Sequence, residues 1–259
     1  MIFKSLKTFA VAALFSAGLP LAGQAADIAP VPDTSDWNFT AAVYVWGAGL
    51  SGDVGVFGLP PQDVDLPFSD IIGSLDFAFM GLAEARKDRF MLGVDLTYTN
   101  VGKTVETPFG ILADKIDVTN TSLMLTGLAG YALYDTDVAR LDVVVGGRYW
   151  NVNNEFDVKG GILDGKSKSD GASWVDPLAG AKLRVDLLPN VYFASWAMIG
   201  GFGVGSDLMW DVMGGAGYDF TEHFSAFAGY RAMSVDYSDN GFVYDVVEQG
   251  PVVAAVFKF

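Results

Sequence analysis

The chain has 259 residues, no cysteine, and 31 acidic against 16 basic side chains, for a formal charge of −15. The lack of cysteine excludes disulfides, thiolate nucleophiles and cysteine-ligated zinc, and the acidic balance argues against nucleic acid as a partner. The composition is apolar, at 51% hydrophobic residues with 31 glycines, yet beyond the N-terminus no run approaches the roughly 18 apolar residues of a spanning helix.

Residues 1–25 read as a secretory signal. Lys4 and Lys7 make a basic start, an apolar run follows from Phe9, and Gly23, Gln24 and Ala25 form a small-residue cleavage site. Pro20 interrupts the apolar run, which is too short to span a bilayer. Residues 26–36, rich in Pro and Asp, are expected to be a flexible lead-in. The remainder, 37–259, is expected to fold as one unit.

From residue 37 the hydrophobic period is two, the period of a strand with two different faces. Strand one is expected at 37–50, with Phe39, Ala41, Val43 and Val45 on one face and Asn38, Thr40 and Tyr44 on the other. Residues 51–73 read as a long loop, with one helical turn capped by Ser69, and the loop is long enough to fold in as a lid. Strands two (74–86) and three (89–101) flank the turn at Lys87 and Asp88. A second long loop is expected at 102–115. Strands four (116–134) and five (139–152) flank a turn at 135–137, and a third long loop, rich in Gly, Asp, Lys and Ser, is expected at 153–172. Strands six (173–186) and seven (191–202) flank 188–190; strand seven is so apolar that its facing cannot be read. A short connection at 203–206 leads to strands eight (207–220) and nine (224–237), and a turn at 238–241 to strand ten (242–259).

Short turns thus alternate with longer loops, as in barrels whose short turns face the periplasm. The fold class is all-β, a transmembrane antiparallel up-and-down β-barrel of about ten strands. Eight or twelve stay open because of 102–115 and strand seven. The expected location is the bacterial outer membrane, with lipid and lipopolysaccharide as surroundings. Two aromatic girdles are expected: Trp37, Phe90, Tyr131, Tyr134, Tyr218, Phe220, Phe257 and Phe259 below, and Tyr98, Tyr149, Trp150, Trp174, Trp210 and Tyr237 above. The end of the chain, apolar from Val252 to Phe257 and closing on Phe259, resembles the terminal insertion signal of such barrels. That resemblance implies that Phe257 and Phe259 present the last strand to the barrel-assembly machinery.

Several stretches resemble a widespread, largely uncharacterised family of proteobacterial outer-membrane barrels, similar in style to opacity-type surface proteins. They are Trp46-Gly47-Ala48-Gly49-Leu50, Phe68-Ser69-Asp70-Ile71 with Leu75-Asp76-Phe77, Gly146-Gly147-Arg148-Tyr149-Trp150, Gly200-Gly201-Phe202-Gly203, and Gly229-Tyr230-Arg231 with Asp236-Tyr237. The resemblance covers most of the chain after the signal and supplies no catalytic residues. The omptin proteases also resemble the chain in size and strand number, but they rely on Asp and His at the outer rim. The single histidine here, His223, falls in a turn assigned to the periplasm, so no enzyme is expected and no catalytic residue is assigned.

No cofactor or metal site is expected either. Asp53, Asp63, Asp65 and Asp70 crowd the first loop, but no Asp-x-Asp-x-Asp-Gly run with a closing Glu accompanies them. The glycines at 200–205 precede a strand rather than a helix and read as a tight hairpin. The informative polar set has inward parity: Glu84, Arg86, Asp95, Arg140, Asp142, Arg148, Asp176, Lys182, Arg184, Asp207, Asp211, Arg231 and Glu248. Both signs are present, and buried charges must pair. The set is expected to plug the lumen of a monomer with a structural or surface-interaction role. The alternative is a small porin-like channel for ions or small solutes, with inward Gly93, Gly146, Gly215 and Gly217 leaving room for water.

Overall fold

The computed structural model describes residues 37–107 and 112–259; the signal and lead-in expected at 1–36 lie outside them. In chain order the elements are β1 (Trp37–Trp46), β2 (Gly49–Gly55), β3 (Gln62–Leu66), α1 (Phe68–Gly73), β4 (Leu75–Lys87), β5 (Phe90–Glu106), β6 (Lys115–Asp135), β7 (Ala139–Lys159), β8 (Ser167–Leu188), β9 (Val191–Gly201), β10 (Leu208–Asp219), β11 (Phe224–Asp239) and β12 (Phe242–Lys258). Each strand from β4 to β12 pairs with the next, and β1 lies between β4 and β12, so ten antiparallel strands close a ring. At the seam Val43 faces Ala255 and Ala41 faces Phe257. Phe39 and Phe259 exchange two main-chain hydrogen bonds, at 3.1 and 2.9 Å. No edge is left within the crossing part, as hydrocarbon requires.

Parity sorts the wall. Phe39, Val43 and Val45 on β1, Phe77 and Phe79 on β4, Leu92 and Val94 on β5, and Val143 and Val145 on β7 are exposed on the outer face, where lipid replaces water. Transfer of each such side chain out of water is worth roughly 1.5–3 kcal/mol. The eight aromatics expected in the lower girdle are all exposed, and their rings touch, as in Phe90–Tyr131 at 5.2 Å and Tyr218–Phe220 at 4.9 Å. The upper girdle differs from expectation. Tyr98, Tyr149 and Trp210 have outward parity, whereas Trp150, Trp174 and Tyr237 have inward parity and are buried inside. The facing of β9 is also resolved: Tyr192 and Met198 are buried within, and Ala197 and Ile199 are exposed without.

The three long loops are largely strand. A tilted strand crosses with about 9–11 residues, and β6, β7 and β8 have 21, 21 and 22. The excess is paired: β5 and β6 run on to Glu106 opposite Lys115, and β7 and β8 to Asp157 opposite Ser167. The turn-like residues there obscured alternating Ile116, Val118, Val152 and Phe156, and pairing satisfies the backbone whatever the side chains. The first loop holds the β2–β3 hairpin, with β2 paired to the outer part of β12. The helical turn α1 starts after Pro67 as its N-cap, with no side-chain cap, rather than at Ser69.

Close strand approach is visible at the inward Gly146, where a Cβ would lie 1.9 Å from the Gly127 carbonyl oxygen; a Cβ on Gly127 would meet nothing within 4 Å. Gly146→Ala should therefore destabilise the barrel by about 1–3 kcal/mol, and Gly127→Ala should be near neutral. Urea unfolding followed by heat-dependent gel mobility checks the pair.

Candidate functional site: the barrel interior

Inward residues are the even positions of β1, β4, β6, β7, β8, β9 and β12 and the odd positions of β5, β10 and β11, and they form layers. Nearest the periplasmic turns, Arg86 donates to both carboxylate oxygens of Asp142, at 3.0 and 2.8 Å, and pairs with Glu84, which also holds Lys182. Beside them Arg184 stacks on the Tyr192 ring at 3.8 Å and pairs with Asp186 at 2.9 Å. Asp219 accepts from Lys258 at 2.6 Å.

Midway up the barrel, four donors converge on the carboxylate of Asp211. Arg148 Nη2 lies at 2.6 Å, Arg231 Nη2 at 2.7 Å, Arg231 Nε at 3.1 Å and Trp196 Nε1 at 2.9 Å. Arg148 also donates to Thr126 Oγ1 at 2.8 Å. The Arg231 guanidinium lies 4.7 Å from the Trp46 ring and 5.3 Å from the Trp196 ring, geometry that favours cation–π attraction. Asp95 accepts from Tyr44 at 2.7 Å and lies 3.5 Å from Arg231. Two guanidinium groups and two carboxylates thus balance, and exposure is 1% or less at Arg148, Asp211 and Arg231.

Above this layer the interior is apolar. Trp46, Trp150, Trp174, Tyr237, Phe242 and Tyr244 pack with Met124, Met209, Met233 and four valines. Trp150 stacks on Trp174 at 5.5 Å, and Trp174 on Tyr237 at 3.9 Å. Trp46 Nε1 and Trp150 Nε1 are buried without a hydrogen-bond partner. Glu248 accepts from the Tyr244 hydroxyl at 3.0 Å in this layer. Asp176 is fully buried at its rim, accepting from Trp174 Nε1 at 3.1 Å and from the Ser206 N–H at 2.7 Å, which ties the β9–β10 connection down to β8.

The sequence-derived charge set is therefore divided. Glu84, Arg86, Asp142 and Lys182 form one cluster, Asp95, Arg148, Asp211 and Arg231 another. Asp176 and Glu248 stand in the apolar layer, and Arg184 lines the lower mouth. Two members lie elsewhere: Asp207 is exposed at the β9–β10 connection, and Arg140 pairs with Asp135 at the periplasmic turn. The space expected at the inward glycines is largely occupied. A Cβ on Gly217 would sit 2.0 Å from the Tyr192 ring and one on Gly215 2.5 Å from the Phe227 ring. Tyr44, Thr126 and Trp196 were not assigned to a site from sequence, and Trp150, Trp174 and Tyr237 were assigned to the upper girdle; the even-position parity of Trp150 and Trp174 was the available signal.

The loop aspartates do not gather. Asp53 and Asp63 face each other across β2 and β3, Asp65 faces Ser51, and Asp70 lies in α1; among the described residues no group of three or more metal-binding side chains forms. His223 sits in the turn before β11, its Nδ1 3.1 Å from the Lys258 carbonyl oxygen.

Neither known protein families nor curated proteins match the sequence. Solved structures do. The outer membrane protease OmpT of Escherichia coli superposes with a TM-score of 0.58 at 10% identity, covering 87% of this chain and 98% of its own. The translocator domain of the autotransporter NalP of Neisseria meningitidis superposes with 0.50 at 15% identity, covering 88% and 90%. At such identities the likeness is one of fold: a closed antiparallel barrel with an apolar outer belt, the architecture of a bacterial outer-membrane protein. The likeness also corrects one expectation. A protease has this barrel, so the conclusion that the chain is not an enzyme, drawn from the position of one histidine, does not stand.

Removing the carboxylate shared by two buried guanidinium groups leaves both uncompensated. Asp211→Ala should cost about 3–5 kcal/mol of unfolding free energy, and Asp207→Ala, at an exposed site, within about 0.5 kcal/mol. Denaturant midpoints of the refolded proteins check both.

Proposed function

We propose that this is a non-conducting outer-membrane barrel with a closed lumen, acting as a structural or surface-interaction protein through the parts that project beyond the membrane. One observation carries the reading. The Arg148–Asp211–Arg231 knot spans β7, β10 and β11, and the Trp150–Trp174–Tyr237 stack lies directly above it. A small barrel is just wide enough for its side chains to fill, and here the inward Gly215 and Gly217 receive the rings of Phe227 and Tyr192 from neighbouring strands. A role in the style of opacity-type surface proteins fits this arrangement, as does a monomer surrounded by lipid and lipopolysaccharide. The β12 strand, ending on Phe257 and Phe259, would be the segment offered to the barrel-assembly machinery.

The alternative, a small porin-like channel, makes the opposite electrical prediction. Refolded 26–259 in a planar bilayer should give no steady single-channel steps, with folding verified by heat-dependent gel mobility. Reproducible ion-selective steps from folded protein would overturn the closed-lumen reading.

A further inference from the structure

Beyond the membrane the barrel wall is not continuous. β9 ends at Gly201 and β10 begins at Leu208, and β8 meets β9 only from Leu178 onward. On the other side β4 begins at Leu75, opposite Val101, so the outer part of β5 pairs with β6 alone. What projects is two four-stranded lobes: β3, β2 and the outer parts of β12 and β11 in one, and the outer parts of β5, β6, β7 and β8 in the other.

The first lobe leaves the wall after Val43, the last β1 residue paired with β4, and after Asp236, the last β11 residue paired with β10. The chain breaks between β1 and β2 at Gly47 and Ala48, and Gly250 and Pro251 lie alongside in β12. The Gly47 N–H donates to the Pro251 carbonyl at 2.8 Å, and a Cβ on Gly250 would sit 2.0 Å from the Gly47 oxygen. Only glycine permits that approach, and β2 continues β1 along β12 in the same register.

The tip of the lobe reaches the other lobe at Phe57, in the β2–β3 turn. Phe57 is held at φ 59°, the left-handed region that favours glycine. Three contacts hold it. Its N–H donates to the Asp170 carboxylate on β8. Its ring lies 5.4 Å from the Phe156 ring on β7, and the Lys168 ammonium lies 4.0 Å from the ring centroid. The aromatic layer above the charged knot is built in part from the lobes themselves, with Trp174 of one lobe's strand stacked on Tyr237 of the other's.

We propose that the lobe bearing the β2–β3 hairpin is a lid over the outer mouth of the barrel, latched by Phe57 on Asp170, Phe156 and Lys168. Release of the latch admits water to the aromatic layer without unfolding the membrane-crossing wall. The lid is independent of whether the lumen conducts, because the charged knot lies below the layer that the lid covers.

The natural chain has no cysteine, so one reporter thiol is unambiguous. Ser122→Cys on β6, adjacent in register to Val152 of the aromatic layer, is treated with a membrane-impermeant maleimide in refolded protein. Glu222→Cys, in an exposed turn at the opposite end, gives the rate of an unprotected thiol. With the latch intact, Ser122→Cys should react at least tenfold more slowly than Glu222→Cys. Phe57→Ala should speed its labelling at least tenfold with folded gel mobility retained. Asp170→Asn, which changes charge but hardly shape, should speed it severalfold and decides the question should Phe57→Ala not fold. Labelling equally fast in parent and latch variants, or a parent thiol as reactive as Glu222→Cys, overturns the lid. Conductance with a protected thiol would sink the closed lumen and leave the lid; a silent bilayer with an unprotected thiol would do the reverse.

Discussion

In hydrocarbon an unpaired peptide N–H or C=O has no water to turn to, and each costs several kcal/mol. The pairing of β1 with β12 removes the last two edges of the sheet, and the rest of the structure depends on it. Closure fixes the strand number, strand number fixes the width, and width decides what the inward side chains must do. It also explains why the sequence alternates so regularly between 75 and 101: every residue of a closed wall faces either lipid or interior, and period two is the only way to serve both.

A ten-stranded ring is narrow enough that inward side chains from opposite walls meet. Charged groups brought that close and buried must pair, because desolvation is otherwise prohibitive. Asp211 illustrates the solution. It sits on β10, takes a guanidinium from β7 and another from β11, and is capped by the Trp196 indole of β9, so four strands are tied to one carboxylate. The pairing is a cross-brace as much as a filling. A second brace at the periplasmic end, through Glu84, Arg86, Asp142 and Lys182, ties β4 to β7 and β8. Between the outer mouth and these braces lies the cluster of buried aromatic and aliphatic side chains around Trp150, Trp174 and Tyr237.

Above the membrane the constraint relaxes, since water satisfies open edges. The strands keep pairing in hairpins but the ring splits, and the two lobes that result touch through side chains rather than through a shared ladder. Contacts of that kind can break one at a time. A residue such as Phe57, held in an unfavourable backbone conformation by three separate partners, belongs to such a junction and has no counterpart in the membrane-crossing wall.

An antiparallel barrel of about ten strands, their up-and-down order and the lower girdle were legible in the amino-acid sequence, because each depends on local alternation or on the contrast between short and long connections. Parity alone also places Trp150 and Trp174 beside Arg148 and Asp176 on the inward face, although an aromatic near a strand end first suggests a girdle. The lengths of β6, β7 and β8 were not legible: glycine, aspartate and lysine in 153–172 mark loops in water, and only a cross-strand partner makes them strand. Nor was the sorting of charges into a lower cluster, a central knot and two outliers, since Asp207 and Asp211 share a strand parity and differ only in height. Which charge meets which, that Tyr192 and Phe227 fill the glycine gaps, and that Phe57 crosses the mouth to Asp170 were decided by closure in three dimensions. Many of those partners, such as Phe57 and Asp170 or Arg148 and Asp211, lie far apart in the chain, and only the closed ring brings them within reach.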